Sequence, residues 1–168
     1  LIYVDGNVPS HLRNYLQKEA QRRGFLLAHT DHYLSPNQAR NLGLQQAHTK
    51  YVLFLDNDVL VTPGWLEALV RCAEETGAWV VGPLYLQGPL EEQIVHMAGG
   101  TISMAEEQGK RMFSATLTHL GKPLSTLPLP LTRGPTDYVE FHCTLVRTEI
   151  FGKVGFLDEK LLSSREHL

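Results

Sequence analysis

The chain has 168 residues, of which 43% are hydrophobic and 20% are charged, and its formal net charge at pH 7 is -3. These values are typical of one globular domain with a hydrophobic core. They argue against a nucleic-acid-binding protein, which needs a basic face, and no apolar run reaches the roughly 18 residues of a transmembrane helix. Cys72 and Cys143 are too few and too far apart for a disulfide framework or a cysteine metal site, so we expect a reduced, cytoplasmic setting.

Strand and helix patterns alternate through the first half of the chain. The predicted strands cover residues 1–4, 25–28, 51–55 and 79–83, and the predicted helices cover residues 10–23, 35–47 and 62–76. Ser10 is expected to cap the first helix and Thr62-Pro63 to begin the third, while Ser35 and Gln38 predict a capping box on the second. This alternation is typical of βαβ units and a parallel sheet covered by helices.

The second half of the chain is less regular, because residues 87–131 are rich in glycine, proline and polar residues. The predicted elements here are strands at 94–97, 101–104 and 138–146, a loop at 124–135 and a short helix at 148–154.

The most informative stretch is the apolar run 52–55, which leads directly into Asp56-Asn57-Asp58. A buried strand that ends in this way places two carboxylates at the edge of a sheet, where they can hold a divalent metal on a phosphorylated ligand. Aspartates at strand ends are also common turn formers, so the spacing alone leaves both interpretations open. Asp5 ends the first strand in the same way, and the two strand ends together predict a carboxylate-lined crevice that needs a cation or a hydroxyl-rich ligand.

Four residues also match the spacing of a calcium-binding EF-hand loop, namely Asp56, Asp58, Thr62 and Glu67. Leu60 and Val61, however, stand where that loop needs an oxygen ligand and a glycine. A strand rather than a helix precedes the loop, so we reject this interpretation.

Eight short motifs follow one another along nearly the whole chain, at residues 35–43, 51–58, 62–66, 82–84, 98–100, 143–147, 154–159 and 165–167. In this order and spacing they resemble the family-two glycosyltransferases of the GT-A fold. The resemblance implies an α/β domain with a Rossmann-like, mostly parallel sheet flanked by helices, and an acceptor-side hairpin region that includes His96 and Met97. Residues 1–83 would form the nucleotide-binding half and residues 84–168 the acceptor-binding half of one domain, 1–168. The family has a further strand before Leu1, so we expect an excerpt of a longer protein, truncated at both ends.

The resemblance implies that a sugar moves, with inversion, from a nucleotide-diphosphate sugar to a hydroxyl. The expected donor is a UDP-sugar, the acceptor a saccharide, lipid or protein, and the setting polysaccharide biosynthesis. Asp5 matches the acid that contacts the base or ribose, Asp56 the acid near the ribose, and Asp58 the acid that coordinates Mn²⁺ or Mg²⁺ on the diphosphate. Arg40 is expected either to help bind the diphosphate or to be a solvated helix arginine.

The acceptor half departs from the family's pattern at two places. The family's general base belongs to a Glu-Asp pair, and this chain has Glu166-His167 instead. We favour Glu166 as the base; His167 is the alternative base or a further metal ligand, and the pair can also simply begin a helix. Phe141 and His142 stand where the family has small residues, which predicts a narrowed acceptor pocket, although a single histidine is more often structural.

Two other classes of function remain open at this stage. A nucleotidyltransferase can use the same sheet and acids, but the expected glycine-rich, basic phosphate loop is not visible near the first strand. A non-catalytic sugar-binding or nucleotide-binding domain is the second alternative, and the altered Glu166-His167 pair favours it. No nucleic-acid partner is expected. The oligomeric state is not predicted, and peripheral membrane association through segments outside this chain remains open.

Overall fold

The computed structural model describes residues 1–107 and 110–161, which form a mixed α/β structure. The strands are β1 (Ile2–Gly6), β2 (Leu26–Thr30), β3 (Tyr51–Leu55), β4 (Val80–Val81), β5 (Tyr85–Gln87), β6 (Ile94–Met97), β7 (Gly100–Glu107), β8 (Lys110–Leu117) and β9 (Cys143–Arg147). The helices are α1 (Ser10–Arg23), α2 (Pro36–Leu44), α3 (Trp65–Thr76) and α4 (Glu149–Val154), with a 3-10 turn at Leu124–Thr126. None of the helices in the described part of the chain is long and apolar enough to cross a membrane.

The strands form four small sheets. β1 and β2 pair in parallel, as the alternation of strand and helix predicted, and they are joined through α1. A three-stranded sheet has the order β3-β9-β4. β5 with β6, and β7 with β8, pair antiparallel, and these hairpins occupy the region where the regular alternation ends.

Two compact units divide the chain. Residues Leu1–Val52 and Val146–Leu168 make up the first unit, and Leu53–Leu145 make up the second. The assignment of residues 1–83 to the nucleotide and 84–168 to the acceptor concerns function and stays a prediction.

The start of α2 in the first unit follows the capping rules applied to the sequence. Ser35 adopts an extended conformation, its side chain accepts from the backbone N–H of Gln38, and the Gln38 side chain accepts from the backbone N–H of Ser35. Pro36 occupies the first turn, where its missing N–H costs no hydrogen bond. The predicted capping box is therefore confirmed.

Two asparagines of α2 form hydrogen bonds with the backbone of residues 157 and 158. Asn37 and Asn41 are one helical turn apart, so their side chains lie on one face, and both are buried. Asn37 donates to the carbonyl oxygen of Asp158, and Asn41 both donates to the carbonyl and accepts from the N–H of Leu157. Asn41 also donates to the Glu159 side chain, so residues 157–159 are held by hydrogen bonds to α2.

Alternation of side chains along β6 builds the core of the second unit. Val95 and Met97 are completely buried, while His96 between them is partly exposed on the opposite face of the strand. This is the two-residue period expected of a strand with one face in the core. The strand predicted at residues 94–97 is therefore confirmed.

Several predicted boundaries were wrong. Pro9 rather than Ser10 is the N-cap of α1, because the carbonyl of Pro9 already accepts from Arg13. α3 begins at Trp65 rather than at Thr62-Pro63, since Gly64 precedes it in the left-handed conformation. The strands expected at 79–83 and 138–146 are shorter in the structure, as β4 and β9. β5 and β8 were not predicted, because each forms by pairing with its hairpin partner.

Replacing Asn41 by alanine is expected to destabilise the fold by roughly 2–4 kcal/mol, because it removes two hydrogen bonds to the Leu157 backbone at a site that is 3% exposed. Urea unfolding of wild type and variant measures the change. Asn14→Ala on the exposed face of α1 is the matched control and should change stability by less than about 0.5 kcal/mol. Equal effects of the two substitutions would show that the buried amide does not stabilise residues 157–159.

Candidate active site

Asp56 follows β3 directly and is held by both its backbone and its side chain. Its backbone N–H donates to the carbonyl oxygen of His142 at 3.0 Å, and its carboxylate accepts from Nδ1 of His142 at 2.8 Å. The Asp56 side chain is about one-third exposed. The carboxylate is therefore oriented by His142 and still accessible to a ligand.

Asp58 lies two residues further, in the turn after β3, and is exposed. It has no hydrogen-bond or ion-pair partner among residues 1–107 and 110–161. An exposed carboxylate of this kind suits Mg²⁺ or Mn²⁺, which bind to one or two protein carboxylates together with substrate phosphates. The metal-binding role of Asp58 stays a prediction.

The loop before β9, residues 140–142, is fixed by the buried hydroxyl of Tyr85. This hydroxyl lies 2.7 Å from the carbonyl oxygens of Glu140 and Cys143 and shares its proton between them. Thr144 Oγ1 also donates to the Glu140 carbonyl. Burial raises the pKa of the Tyr85 hydroxyl, so it stays a donor well into the alkaline range.

Gly82 makes room for this hydroxyl. A Cβ at position 82 would lie 2.9 Å from Val139 Cγ1 and 3.3 Å from the Tyr85 hydroxyl. The motif Gly82-Pro83-Leu84 thus has a packing reason, because a larger residue would displace the anchor of the loop.

Phe141 and His142, which the sequence placed on the acceptor side, have different surroundings. Phe141 packs edge-on against Phe54 of β3, with ring centroids 5.3 Å apart. The His142 side chain is 39% exposed and lies between Asp56 and the side chains of Glu140 and His96. Of the two residues, His142 is the one with polar atoms placed to meet a ligand.

Asp5 is 1% exposed and forms a second aspartate–histidine pair, in the first unit. One carboxylate oxygen accepts from the N–H of Val8 at 2.8 Å, and the other lies 2.7 Å from Nδ1 of His29. Parallel pairing of β1 and β2 puts Asp5 and His29 at the same register position, which explains their contact. Of this pair, only His29 is partly exposed to solvent.

A chain of polar contacts continues outward from His29. Its Nε2 lies 3.0 Å from Asp31, and Asp31 forms an ion pair with Arg13 of α1 at 3.3 Å. The hydrogen bond from His29, followed by the positive charge of Arg13, lowers the pKa of Asp31. Charged and polar groups therefore connect the end of β1 to the surface.

Arg40 lies on α2, is partly buried, and donates from Nη1 to Asn37 Oδ1 at 3.2 Å. This contact orients its guanidinium along the helix that also fixes residues 157–159. Glu166 and His167, predicted as base and metal ligand, lie outside the described residues.

Sequence reasoning gave no role to His29, Gln87 or Glu140. His29 was missed because the predicted second strand ended at residue 28, whereas β2 extends to Thr30 and brings His29 opposite Asp5. Glu140 can be recognised as a candidate metal ligand only together with His96 and His142. His96 lies more than 40 residues before the other two along the chain, so no local pattern reveals the group.

Comparison with known proteins identifies related sequences. A family model described as "Glycosyl transferase family 2" matches residues 1–155. Two curated relatives are each named "Pre-mycofactocin glycosyltransferase", from Mycobacterium tuberculosis strains CDC 1551 / Oshkosh and ATCC 25618 / H37Rv. Each is 27% identical over 139 residues, which cover 82% of this chain but 26% of the relative.

A solved structure gives the corresponding comparison of folds. It is the crystal structure of S. aureus TarS 1-349 in complex with UDP, and its similarity covers 99% of this chain and 43% of that chain, with a TM-score of 0.55 and 16% sequence identity. Together with the family match, this similarity shows that the predicted α/β class and GT-A fold are correct.

Removing the hydroxyl of Tyr85 tests how the loop before β9 is held. Tyr85→Phe should destabilise the protein by roughly 1–3 kcal/mol, because buried carbonyl groups lose a donor. Tyr33→Phe is the control, since Tyr33 is exposed and its substitution should fall within about 0.5 kcal/mol of wild type. Denaturant unfolding measures both, and the anchoring role is wrong should Tyr85→Phe match the control.

Cys143 is expected to resist alkylation in the folded protein. It is buried, and burial together with the negative charge of Asp56 raises the pKa of its thiol to about 11, so the reactive thiolate is scarce at mildly alkaline pH. Iodoacetamide labelling followed by mass spectrometry should modify the partly exposed Cys72 first and Cys143 only after denaturant is added. Equal labelling rates in the native protein would contradict this environment for Cys143.

Proposed function

Since the chain belongs to glycosyl transferase family 2, we propose that it transfers a sugar from a nucleotide-diphosphate sugar to an acceptor hydroxyl with inversion. The names of the curated relatives support sugar transfer in general. The chain covers 26% of their length, so the substrates of the complete protein are part of the proposal.

The observation that carries the proposal is the pair of acids after β3. Asp56 is fixed by His142, and Asp58, two residues on, is exposed and without a partner among the described residues. One oriented acid beside one available acid is the arrangement needed to bind a ribose and a metal-bound diphosphate side by side.

In the proposed reaction the acceptor oxygen attacks the anomeric carbon as the bond from that carbon to the diphosphate breaks. The hydroxyl proton passes to a general base, and the nucleoside diphosphate leaves with the bonding electron pair. Attack from the side opposite the leaving group inverts the anomeric centre. A divalent cation bound by Asp58, Mn²⁺ or Mg²⁺, would neutralise the negative charge that develops on the diphosphate.

The remaining residues are proposed to bind the donor or to accept the proton of the acceptor hydroxyl. Asp56 is proposed to orient the ribose. Asp5 is proposed to help orient the nucleoside together with His29, its more exposed partner. Arg40 is proposed to contact the diphosphate, and Glu166 to take the acceptor proton, with His167 as the alternative base or metal ligand. A UDP-sugar is the proposed donor, which is supported by the UDP bound in the structurally similar TarS complex.

Asp58→Ala is expected to lower sugar transfer in the complete protein by at least about 100-fold, because metal stabilisation of a leaving group is worth several kcal/mol. Release of nucleoside diphosphate from a panel of sugar nucleotides, with Mn²⁺ present, measures the rate. A chelator should abolish wild-type transfer, and added Mn²⁺ should restore it.

Glu67→Ala is the matched control for this substitution. Glu67 is an exposed acid of α3 and would be a ligand only in a calcium EF-hand loop, so its removal should leave transfer unchanged. Transfer that survives in Asp58→Ala contradicts the proposed metal site. Release of pyrophosphate would indicate a nucleotidyltransferase, and binding without any product would indicate a non-catalytic domain.

A further inference from the structure

Three side chains of metal-binding type converge beside Asp56, in the second unit. His96 comes from β6, and Glu140 and His142 come from the loop before β9. One nitrogen or carboxylate oxygen from each lies within 4.8 Å of the other two. Nε2 of His96 is 2.6 Å and Nε2 of His142 is 3.5 Å from the same oxygen of Glu140.

The second nitrogen of each imidazole is engaged by an oxygen outside this group. Nδ1 of His96 lies 3.0 Å from Oε1 of Gln87, and Nδ1 of His142 lies 2.8 Å from Oδ2 of Asp56. Because these oxygens accept, each Nδ1 carries a proton, and each ring presents to Glu140 its Nε2, the nitrogen through which such an imidazole binds a metal. Two imidazole nitrogens and a carboxylate oxygen therefore converge on one point, and the proton between His96 and Glu140 is the one that a bound cation would displace.

We propose that His96, Glu140 and His142 bind Zn²⁺. Two imidazole nitrogens, one carboxylate oxygen and an open fourth position make up a recurrent zinc donor set. With zinc bonds of roughly 2.0–2.2 Å, tetrahedral ligand atoms lie roughly 3.4 Å apart, close to the distance of 3.5 Å between His142 and Glu140. The shorter contact of His96 is a hydrogen bond whose proton the metal would replace.

The residues around this cluster hold its three side chains in place, as in a preorganised metal site. Gln87 and Asp56 fix the orientation of the two imidazoles in the way that carboxylates and carbonyls support histidine ligands in other metal proteins. Tyr85 fixes the backbone of Glu140, and antiparallel pairing of β5 with β6 fixes His96 near Gln87. The side chains remain 12–39% exposed, so an ion can enter from solvent.

This site differs in chemistry from the one proposed at Asp58. Imidazole nitrogen favours Zn²⁺ and related transition metals, whereas Mg²⁺ and Mn²⁺ prefer oxygen ligands. The zinc proposal stands on the geometry of the cluster and does not depend on sugar transfer, so either proposal can fail without the other.

Isothermal titration of the tag-free, metal-stripped protein with Zn²⁺ alone tests the proposal. We expect one equivalent to bind and expect His96→Ala and His142→Ala each to weaken binding at least tenfold. His11→Ala, which removes an exposed histidine of α1, is the matched control and should bind as wild type does. Asp58→Ala should also leave Zn²⁺ affinity unchanged, because Asp58 lies outside the cluster.

Gln87→Ala distinguishes a built site from two surface histidines that happen to be close. It removes the support of His96 without removing a ligand, and loss of such support typically weakens metal binding about 10–100-fold. Circular dichroism of each variant checks that it is folded.

Co²⁺ in the wild-type protein gives a readout that needs no substitution. We expect the visible bands of four- or five-coordinate cobalt with nitrogen and oxygen ligands, which Zn²⁺ abolishes by displacement. An unchanged spectrum of hydrated Co²⁺, an absence of saturable Zn²⁺ binding, or wild-type affinity in folded His96→Ala and His142→Ala would each overturn the proposal.

Discussion

A single buried hydroxyl holds the polar side chains of the second unit in place. Tyr85 fixes the carbonyls of Glu140 and Cys143, so the loop between them cannot rotate without losing hydrogen bonds in a buried environment. From that loop His142 reaches Asp56 through both its backbone and its ring. The position of Asp56 thus depends on a tyrosine whose hydroxyl binds backbone carbonyls of the loop and not the Asp56 carboxylate itself.

Two acids that the family resemblance singles out are supported in the same way. Nδ1 of a histidine lies 2.7 Å from the carboxylate of Asp5 and 2.8 Å from that of Asp56. The two pairs differ in solvent access, because Asp5 is almost completely buried and Asp56 is one-third exposed. A histidine partner can satisfy a carboxylate in either environment, whereas only the exposed carboxylate remains open to direct contact with a ligand.

The sequence predicted those features that are encoded locally. The capping box of Ser35 and Gln38 depends on four consecutive residues, and β3 is an unbroken apolar run, so both were predicted correctly. The histidine partners of Asp5 and Asp56 lie 24 and 86 residues away along the chain, and no local pattern reveals such contacts. For the same reason the acids could be named from the sequence, but the groups that orient them could not.

The contacts of the two ring nitrogens of His142 depend on each other. One nitrogen faces Asp56 and the other faces Glu140, so a ligand that draws Asp56 away changes the orientation of the ring toward the cluster. An ion in the cluster would in turn change how firmly Asp56 is held. Thermodynamic linkage requires these two effects to be equal in free energy, so any change in nucleotide affinity caused by the ion would be matched by an equal change in ion affinity caused by the nucleotide.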